Sequence, residues 1–341
     1  MRTYNRHHVI ITVCLMFIVV LVGGSIYFNV TDGKIPNTFI LYDDAGKIIG
    51  DAPFPPSADF PFGTDRKGDH LFYKVLEGAQ YTLGAAIVIS ILSFILSFYL
   101  GVVGGFIRSK AKKWTQSMFT SFYFIPQSII AYNVLYPLLW EPPKGFETSF
   151  QERVILQVIT LAVLTAPTTT ILISNETQQI LQKEFVTSAR VLGGSKFFLF
   201  RKHILPHLKL RLFIIFPKIT IQVLLIIAHL GFFQLYFGGT EVCYGPFCDP
   251  PLPIVQEWSG MMSMNFIELY NGWWIFMVPM AFFALTILSL TGIAQGLERL
   301  LEEDEEVAMS SSEKGDVKAL NKKMDQKSDA DFSRVTNHFR A

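Results

Sequence analysis

Long apolar runs separated by shorter polar segments organise most of the chain. A bilayer core about 30 Å thick requires roughly 20 helical residues, and several runs supply that length with almost no charge. The apolar runs occupy residues 9–28, 81–107, 117–140, 154–173, 219–237 and 273–290. This pattern predicts an all-α integral membrane protein with six transmembrane helices.

The composition agrees with this pattern. Half of the residues are hydrophobic and only 17% are charged, which is far from the balance of a soluble globular domain. The net charge of +1 says little about partners. The positions of the charges are more informative, because Lys and Arg concentrate in cytoplasmic loops.

The basic residues predict which side of the membrane each loop occupies. Arg2 and Arg6 precede the first run, and further cations cluster in 108–113 and 174–211. Residues 238–272 contain no Lys or Arg. Both termini are therefore expected in the cytoplasm, and the predicted parts are an amino-terminal helix (1–28), an extracytoplasmic loop (29–80), a five-helix core (81–297) and a cytoplasmic tail (298–341).

Two of these parts have alternative readings. Residues 1–28 could be a cleaved signal peptide, but the apolar run is longer than a signal core and no A-x-A site follows it. The tail has few apolar residues and charge blocks of both signs, which predicts disorder, with a docking or regulatory role as the alternative.

The sequence lacks motifs for enzymatic chemistry. It has no GxxxxGK[ST] phosphate-binding loop and no HExxH, CxxC or GxSxG motif. We therefore expect neither an enzyme nor a metal site, and any ATP hydrolysis would belong to a separate subunit.

The basic loop at 174–211 has its own internal pattern. A first helix is predicted over 184–192, with Phe185, Ala189 and Leu192 on one face, and Gly193 follows where a helix would stop. Ser195 can cap a second helix over 196–205, which Pro206 interrupts. Such a hairpin could lie on the membrane surface or fit a partner's groove, and the pattern alone favours the surface.

Within this loop, TSARVLGGSKFFLFRKHILP resembles the EAA loop of binding-protein-dependent ABC importer permeases. The fuller string is similar to the dipeptide, oligopeptide and nickel subgroup. Three other stretches resemble that subgroup as well: PFGTDRKGDHLFYKVLEGAQYTL, PLPIVQEWSGMM and AQGLERLLEED. Two positions depart from the subgroup's pattern. Asp69 stands where the pattern usually has Arg, and Thr187 stands where it implies Glu.

The resemblance implies a type I ABC importer permease fold in a bacterial inner membrane. It also implies a heterodimeric core with a second homologous permease, two ABC ATPase subunits that bind ATP and Mg, and an extracytoplasmic substrate-binding protein. No cofactor on this chain and no nucleic acid are expected. The residues that the resemblance assigns to ATPase coupling are Glu184, Ser188, Ala189, Arg190, Gly193, Ser195, Leu205 and Pro206.

Polar groups inside the predicted spans are candidates for a substrate path, because they are costly in lipid and usually face a cavity or a helix contact. His229, Gln222 and Asn133 qualify, and for His229 an interhelical hydrogen bond is the competing reading. Cys243 and Cys248 could form a disulfide on the outer side or remain two thiols.

The expected function is that of a permease subunit of an ATP-driven importer, with peptides as the expected cargo. Substrate would move by alternating access, coupled to the ATPase through residues 184–208. An ATP-independent channel, an intramembrane enzyme and a membrane sensor remain as alternatives, and nickel or metal chelates remain as alternative cargo.

Overall fold

The computed structural model describes residues 2–31, 33–43, 46–107, 125–246, 248 and 250–303, and most of them are helical. A π-helical turn and a 3-10 helix accompany the α-helices, and two short antiparallel strand pairs, β1–β2 and β3–β4, lie between them. The elements are α1 (Arg2–Thr31), β1 (Ile40–Tyr42), β2 (Ile48–Asp51), α2 (Leu71–Gly105), α3 (Gln127–Leu139), α4 (Phe150–Leu181), α5 (Glu184–Val191), α6 (Lys196–Leu199), the π turn (Phe200–Ile204), α7 (Leu205–Phe232), β3 (Thr240–Glu241), β4 (Leu252–Pro253), α8 (Trp258–Met264), the 3-10 helix (Phe266–Tyr270) and α9 (Trp273–Glu303).

Within the described residues, five helices are long and apolar enough to cross a membrane. They are Arg6–Thr31, Leu71–Gly105, Phe150–Leu181, Lys196–Phe232 and Trp273–Glu303. The predicted span at 117–140 falls partly outside the described residues, and its described part contains α3, which has 13 residues. A helix of that length measures about 20 Å, less than a bilayer core.

Several helices extend further than their apolar runs predicted. α2 begins at Leu71 rather than at residue 81, and α9 continues to Glu303 rather than ending near 290 or giving way to a tail at 298. The span predicted from 219 belongs to a helix that begins at Lys196 and ends at Phe232. An apolar run marks only the part of a helix that lies in the lipid core. The helix itself can continue into polar residues at both ends, because its backbone hydrogen bonds do not require apolar side chains.

The helices run in two directions. α2 and α4 are parallel neighbours, since residues near 101 and 105 of α2 face residues near 173 and 177 of α4. α7 runs antiparallel to α4, because Arg211 pairs with Glu176 while Gln222 contacts Thr168. We call the end of the bundle that carries residues 33–70 the cap end, and the end that carries the turn between α5 and α6 the hairpin end.

Glycines allow α2 and α4 to pack closely. A Cβ atom on Gly101 would lie 2.7 Å from Cβ of Ile173, and one on Gly105 would lie 2.5 Å from Cγ2 of Thr177. Real side chains do not tolerate such distances, so the two backbones meet where neither position carries a side chain. Gly101 and Gly105 are four residues apart, a spacing that lets helices approach closely.

At the cap end, a buried ion-pair cluster joins the cap loop to the first turns of α2. The Lys74 ammonium lies 2.6 Å from Asp65 Oδ2 and 3.2 Å from Asp69 Oδ2. Asn37 also donates from Nδ2 to Asp69 Oδ1 at 2.8 Å. Asp69, where the sequence departs from the subgroup pattern, therefore helps to satisfy a buried cation that would otherwise be costly.

The segment between α7 and α9 folds back onto α2. Trp258 is fully buried and donates from Nε1 to the Val75 carbonyl at 2.8 Å, while its backbone N–H donates to Thr82 Oγ1 at 3.0 Å. In the same segment, the sulfur atoms of Cys243 and Cys248 are bonded to each other. The structure thus contains a Cys243–Cys248 disulfide, which the sequence left undecided.

Candidate coupling hairpin and transport groove

A short helical hairpin connects α4 to α7, and we define it as residues 184–204. α5 ends at Val191, and Gly193 then adopts φ +91°, a conformation that favours glycine. The Gly194 N–H donates to the Ala189 carbonyl at 3.1 Å, which satisfies an acceptor at the helix end. Ser195 Oγ accepts from the Phe198 N–H at 3.2 Å and caps the next helix.

Three buried side chains of the hairpin, Val186, Leu199 and Ile204, hold it against the bundle, and Leu208 at the start of α7 is buried as well. The face predicted to carry Phe185, Ala189 and Leu192 is not the side of α5 that packs on the bundle. Leu192 is 88% exposed and Phe185 is 41% exposed, whereas Val186 is fully buried. A helix of two turns can pack on the bundle through either of two neighbouring sides. The direction in which the chain leaves α4 turns the side with Val186 towards the bundle.

The hairpin instead presents apolar side chains outwards at its tip. Val191 is 82% exposed, Leu192 is 88% exposed and Phe197 is 70% exposed. Phe200, on the bundle side of the hairpin, contacts Phe98 of α2 with ring centroids 6.5 Å apart. An exposed apolar cluster of this kind is typical of a surface that a partner covers.

The predicted coupling residues lie around this tip and along the second arm of the hairpin, which consists of α6 and the π turn. Glu184, Ser188, Arg190, Gly193 and Ser195 are exposed, and Ala189 is half-buried. The carbonyl of Ala189 takes part in the turn described above.

Leu205 and Pro206 lie at the start of α7, on the bundle side of the hairpin. The sequence predicted that Pro206 interrupts the second helix, and the structure shows a continuous helical path instead. The chain widens into the π turn just before the proline, where the Leu205 N–H donates to the Phe200 carbonyl. Such a turn accommodates a residue that lacks an N–H without ending the helix.

A groove of about 510 Å³ opens between the start of α3, the middle of α4 and α7. Most of its walls are aliphatic, and its polar side chains come from three helices. Its polar members are Gln127, Ser128, Thr168, Thr169, Lys218, Gln222 and His229.

Two of the three predicted path residues line this groove. Gln222 donates from Nε2 to Gln127 Oε1 at 2.5 Å and to Thr168 Oγ1 at 3.3 Å, which crosslinks α7 with α3 and α4. His229 lines the groove nearer the cap end and is exposed. Asn133 is not among the lining residues; it is exposed and donates to the Ile129 carbonyl of its own helix at 2.8 Å.

Sequence reasoning missed five polar members of the groove: Gln127, Ser128, Thr168, Thr169 and Lys218. Lys218 directly precedes the apolar run that begins at residue 219. The spacing of Lys218, Gln222 and His229 at i, i+4 and i+11 places them on one face of α7, and this spacing could have pointed to Lys218.

Comparison with known proteins identifies the kind of molecule that combines these features. A family model described as "Binding-protein-dependent transport system inner membrane component" matches residues 97–304, which include the hairpin and every residue that lines the groove. The chain belongs to this family. As one of these inner membrane components, it is a multi-pass permease of a transport system and not the catalytic subunit.

Curated relatives agree with this family assignment. The chain is 24% identical over 274 residues to the peptide transport system permease protein SapC of Haemophilus influenzae, covering 78% of this chain and 83% of the relative. It is 22% identical over 249 residues to the dipeptide transport system permease protein DppC of Bacillus subtilis, covering 73% and 70%. A solved structure of the MetNI methionine ABC transporter in inward-facing conformations matches with a TM-score of 0.48 and 15% identity, covering 67% of this chain and 97% of that one.

Proposed function

We propose that this permease moves peptides through a membrane by alternating access and that residues 184–208 couple it to a separate ATPase. Two ABC ATPase subunits would bind ATP and Mg, a second homologous permease would complete the pathway, and an extracytoplasmic binding protein would deliver the cargo. ATP binding would draw the ATPases together, shift the hairpin and change the side on which the groove opens.

The observation that carries this proposal is a single helix that serves both sites. Lys196–Phe232 is continuous for 37 residues, so it is about 55 Å long. Its first turns form the second arm of the hairpin, and its later turns contribute Gln222 and His229 to the groove. A displacement of the hairpin would therefore reach the groove without passing through a flexible loop.

The exposed tip supports an ATPase as the partner. Val191, Leu192 and Phe197 project from a turn that Gly193 and Ser195 fix in shape. This projecting apolar tip has a fixed shape and a cation nearby, Arg190 on α5. Such a tip is better matched to a groove on another protein than to lipid.

The names of the curated relatives and the groove's chemistry support peptides as cargo. SapC and DppC are named as peptide and dipeptide permeases. The groove combines aliphatic walls with the Gln127 and Gln222 amides and the Thr168 hydroxyl. Amide and hydroxyl groups can exchange hydrogen bonds with peptide groups, and aliphatic walls tolerate varied side chains.

The hairpin proposal is tested at Leu192, which is 88% exposed and has little packing to lose. We expect Leu192→Asp to stay in the membrane but to lose ATPase association and peptide uptake by about tenfold or more, because a carboxylate would be desolvated in the apolar contact. Leu192→Ala is the matched control and should be affected much less. Co-purification and uptake in proteoliposomes measure both effects.

Normal ATPase association and normal uptake in Leu192→Asp would contradict coupling through the hairpin. Uptake that proceeds without any ATPase subunit would instead identify a channel. A chain that purifies with neither ATPases nor a second permease would favour a membrane sensor.

A further inference from the structure

Lys218 is a charged residue in the wall of the groove. It shares one face of α7 with Gln222, Leu225 and His229, and all four side chains line the same space. A cation within a membrane-spanning helix is costly, and such residues usually serve a binding site or an ion pathway.

The partner of Lys218 holds it only weakly. The ammonium lies 3.3 Å from Glu298 Oε1 on α9, and the two side chains are 45% and 47% exposed. Ion pairs with this much solvent contact contribute little to stability, so another carboxylate can compete for the lysine. Glu298 thus pairs with the cation without fixing it permanently.

The other polar side chains that line the groove are amides, hydroxyls and one imidazole. Gln127, Thr168 and Gln222 offer amide and hydroxyl groups, and His229 lies eleven residues from Lys218 along α7, a distance of about 16 Å. Extended chain spans about 3.3–3.6 Å per residue, so this distance corresponds to roughly four or five residues. A lysine at one end of such a groove matches the carboxylate at the end of a peptide.

We propose that Lys218 binds the carboxy-terminal carboxylate of a peptide in transit and exchanges Glu298 for it. This inference rests on the proposed function and adds to it a polarity for the bound peptide, with the carboxylate nearer the hairpin end. It also predicts a selectivity for peptides with a free carboxy terminus. A peptide with a carboxy-terminal amide has no negative charge at that end, so it could not replace Glu298 as the counter-ion.

The test uses the complete transporter in proteoliposomes with its binding protein at saturating concentration. The probe is a mixture of tripeptides to pentapeptides, prepared once as free acids and once as carboxy-terminal amides, with uptake measured by mass spectrometry. We expect Lys218→Gln to lower the acid-to-amide uptake ratio about five- to tenfold, while Lys218→Arg keeps it. Because the binding protein is the same in every sample, its own selectivity cancels between variants.

Glu298→Gln is the matched control, since it removes the same ion pair and leaves the lysine in place. We expect this variant to keep the wild-type ratio or to exceed it. An unchanged ratio in Lys218→Gln, or an equal fall in Glu298→Gln, would show that the pair has only a structural role and would overturn the inference. If the wild-type complex imports neither probe, the proposed peptide cargo fails and this inference fails with it.

Discussion

At the scale of single residues, burial and hydrogen bonding act in opposite directions on Glu257. Its carboxylate is wholly buried at the start of α8 and accepts from the Ser259 N–H at 2.8 Å, the Ser259 hydroxyl at 2.7 Å and the Gly260 N–H at 2.9 Å. Burial raises the pKa of Glu257 above its ordinary value of 4.5, and the hydrogen bonds only partly oppose this. The folded protein therefore holds a proton that the unfolded chain releases.

This linkage predicts how stability depends on pH. A carboxyl with a raised folded pKa contributes stability below that pKa and loses it as the pH rises through the window above 4.5. We expect thermal stability in detergent to fall in this window for the wild type, and Glu257→Gln to remove that part of the fall. Glu241→Gln, at an exposed site, is the control and should leave the pH profile unchanged. Identical pH profiles for the wild type and Glu257→Gln would contradict the prediction.

Residues of the hairpin show how far sequence reasoning reaches at this scale. The turn at Gly193 and the cap at Ser195 were predicted, because each depends on backbone chemistry within a few neighbours. The side of α5 that packs on the bundle was not predicted, because Val186 and Leu192 differ only in what the rest of the bundle places beside them.

At the scale of elements, α2 and α4 pack closely against each other. Besides the two glycines, hydroxyl groups join these helices: Thr165 Oγ1 donates to Ser93 Oγ at 2.9 Å, and Ser97 Oγ donates to the Ala166 carbonyl at 3.0 Å. Small residues and interhelical hydrogen bonds are the usual means of association where lipid removes the hydrophobic driving force. These two helices therefore form a close-packed pair.

We expect Gly101→Leu to disrupt this pair, since even a Cβ atom at that position would meet Ile173 at 2.7 Å. Overpacking of this kind typically costs about 1–3 kcal/mol and more where backbones must separate. Gly84→Leu on the same helix is the matched control, because nothing lies within 4 Å of its added Cβ. Thermal unfolding in detergent measures the difference, and equal stability of the two variants would contradict the close packing.

At the scale of the whole molecule, the helix Lys196–Phe232 connects the hairpin to the groove. The proposed function requires this helix to be stiff. Ion pairs connect it to neighbouring helices on two sides. Arg211 Nε lies 3.2 Å from Glu176 Oε2 on α4, and Lys218 pairs with Glu298 on α9. Arg211 lies on the hairpin side of the groove, whereas Lys218 is part of the groove wall.

Softening this helix should uncouple ATP use from transport. Leu210 and Phe213 are 54% and 69% exposed, so replacing both by Gly removes little packing but adds backbone freedom at about 1 kcal/mol per site. We expect the Gly pair to lower peptide uptake per ATP hydrolysed severalfold, while the matched Ala pair keeps the wild-type ratio. Equal ratios in the Gly and Ala variants would show that coupling does not depend on a stiff helix.

The apolar runs alone establish that this protein is a helical membrane protein, because apolar length sets membrane crossing. The resemblance of the segment around Gly193 to the EAA loop indicates a permease, and that segment is short enough to be read locally. The structure added what depends on distant residues. It showed that the hairpin and groove share one helix, that Lys218 faces the groove while Asn133 does not, and that Pro206 does not end the helix. Which side of a helix meets its neighbours depends on contacts between residues far apart in the chain, so these features follow from the fold and not from the sequence pattern.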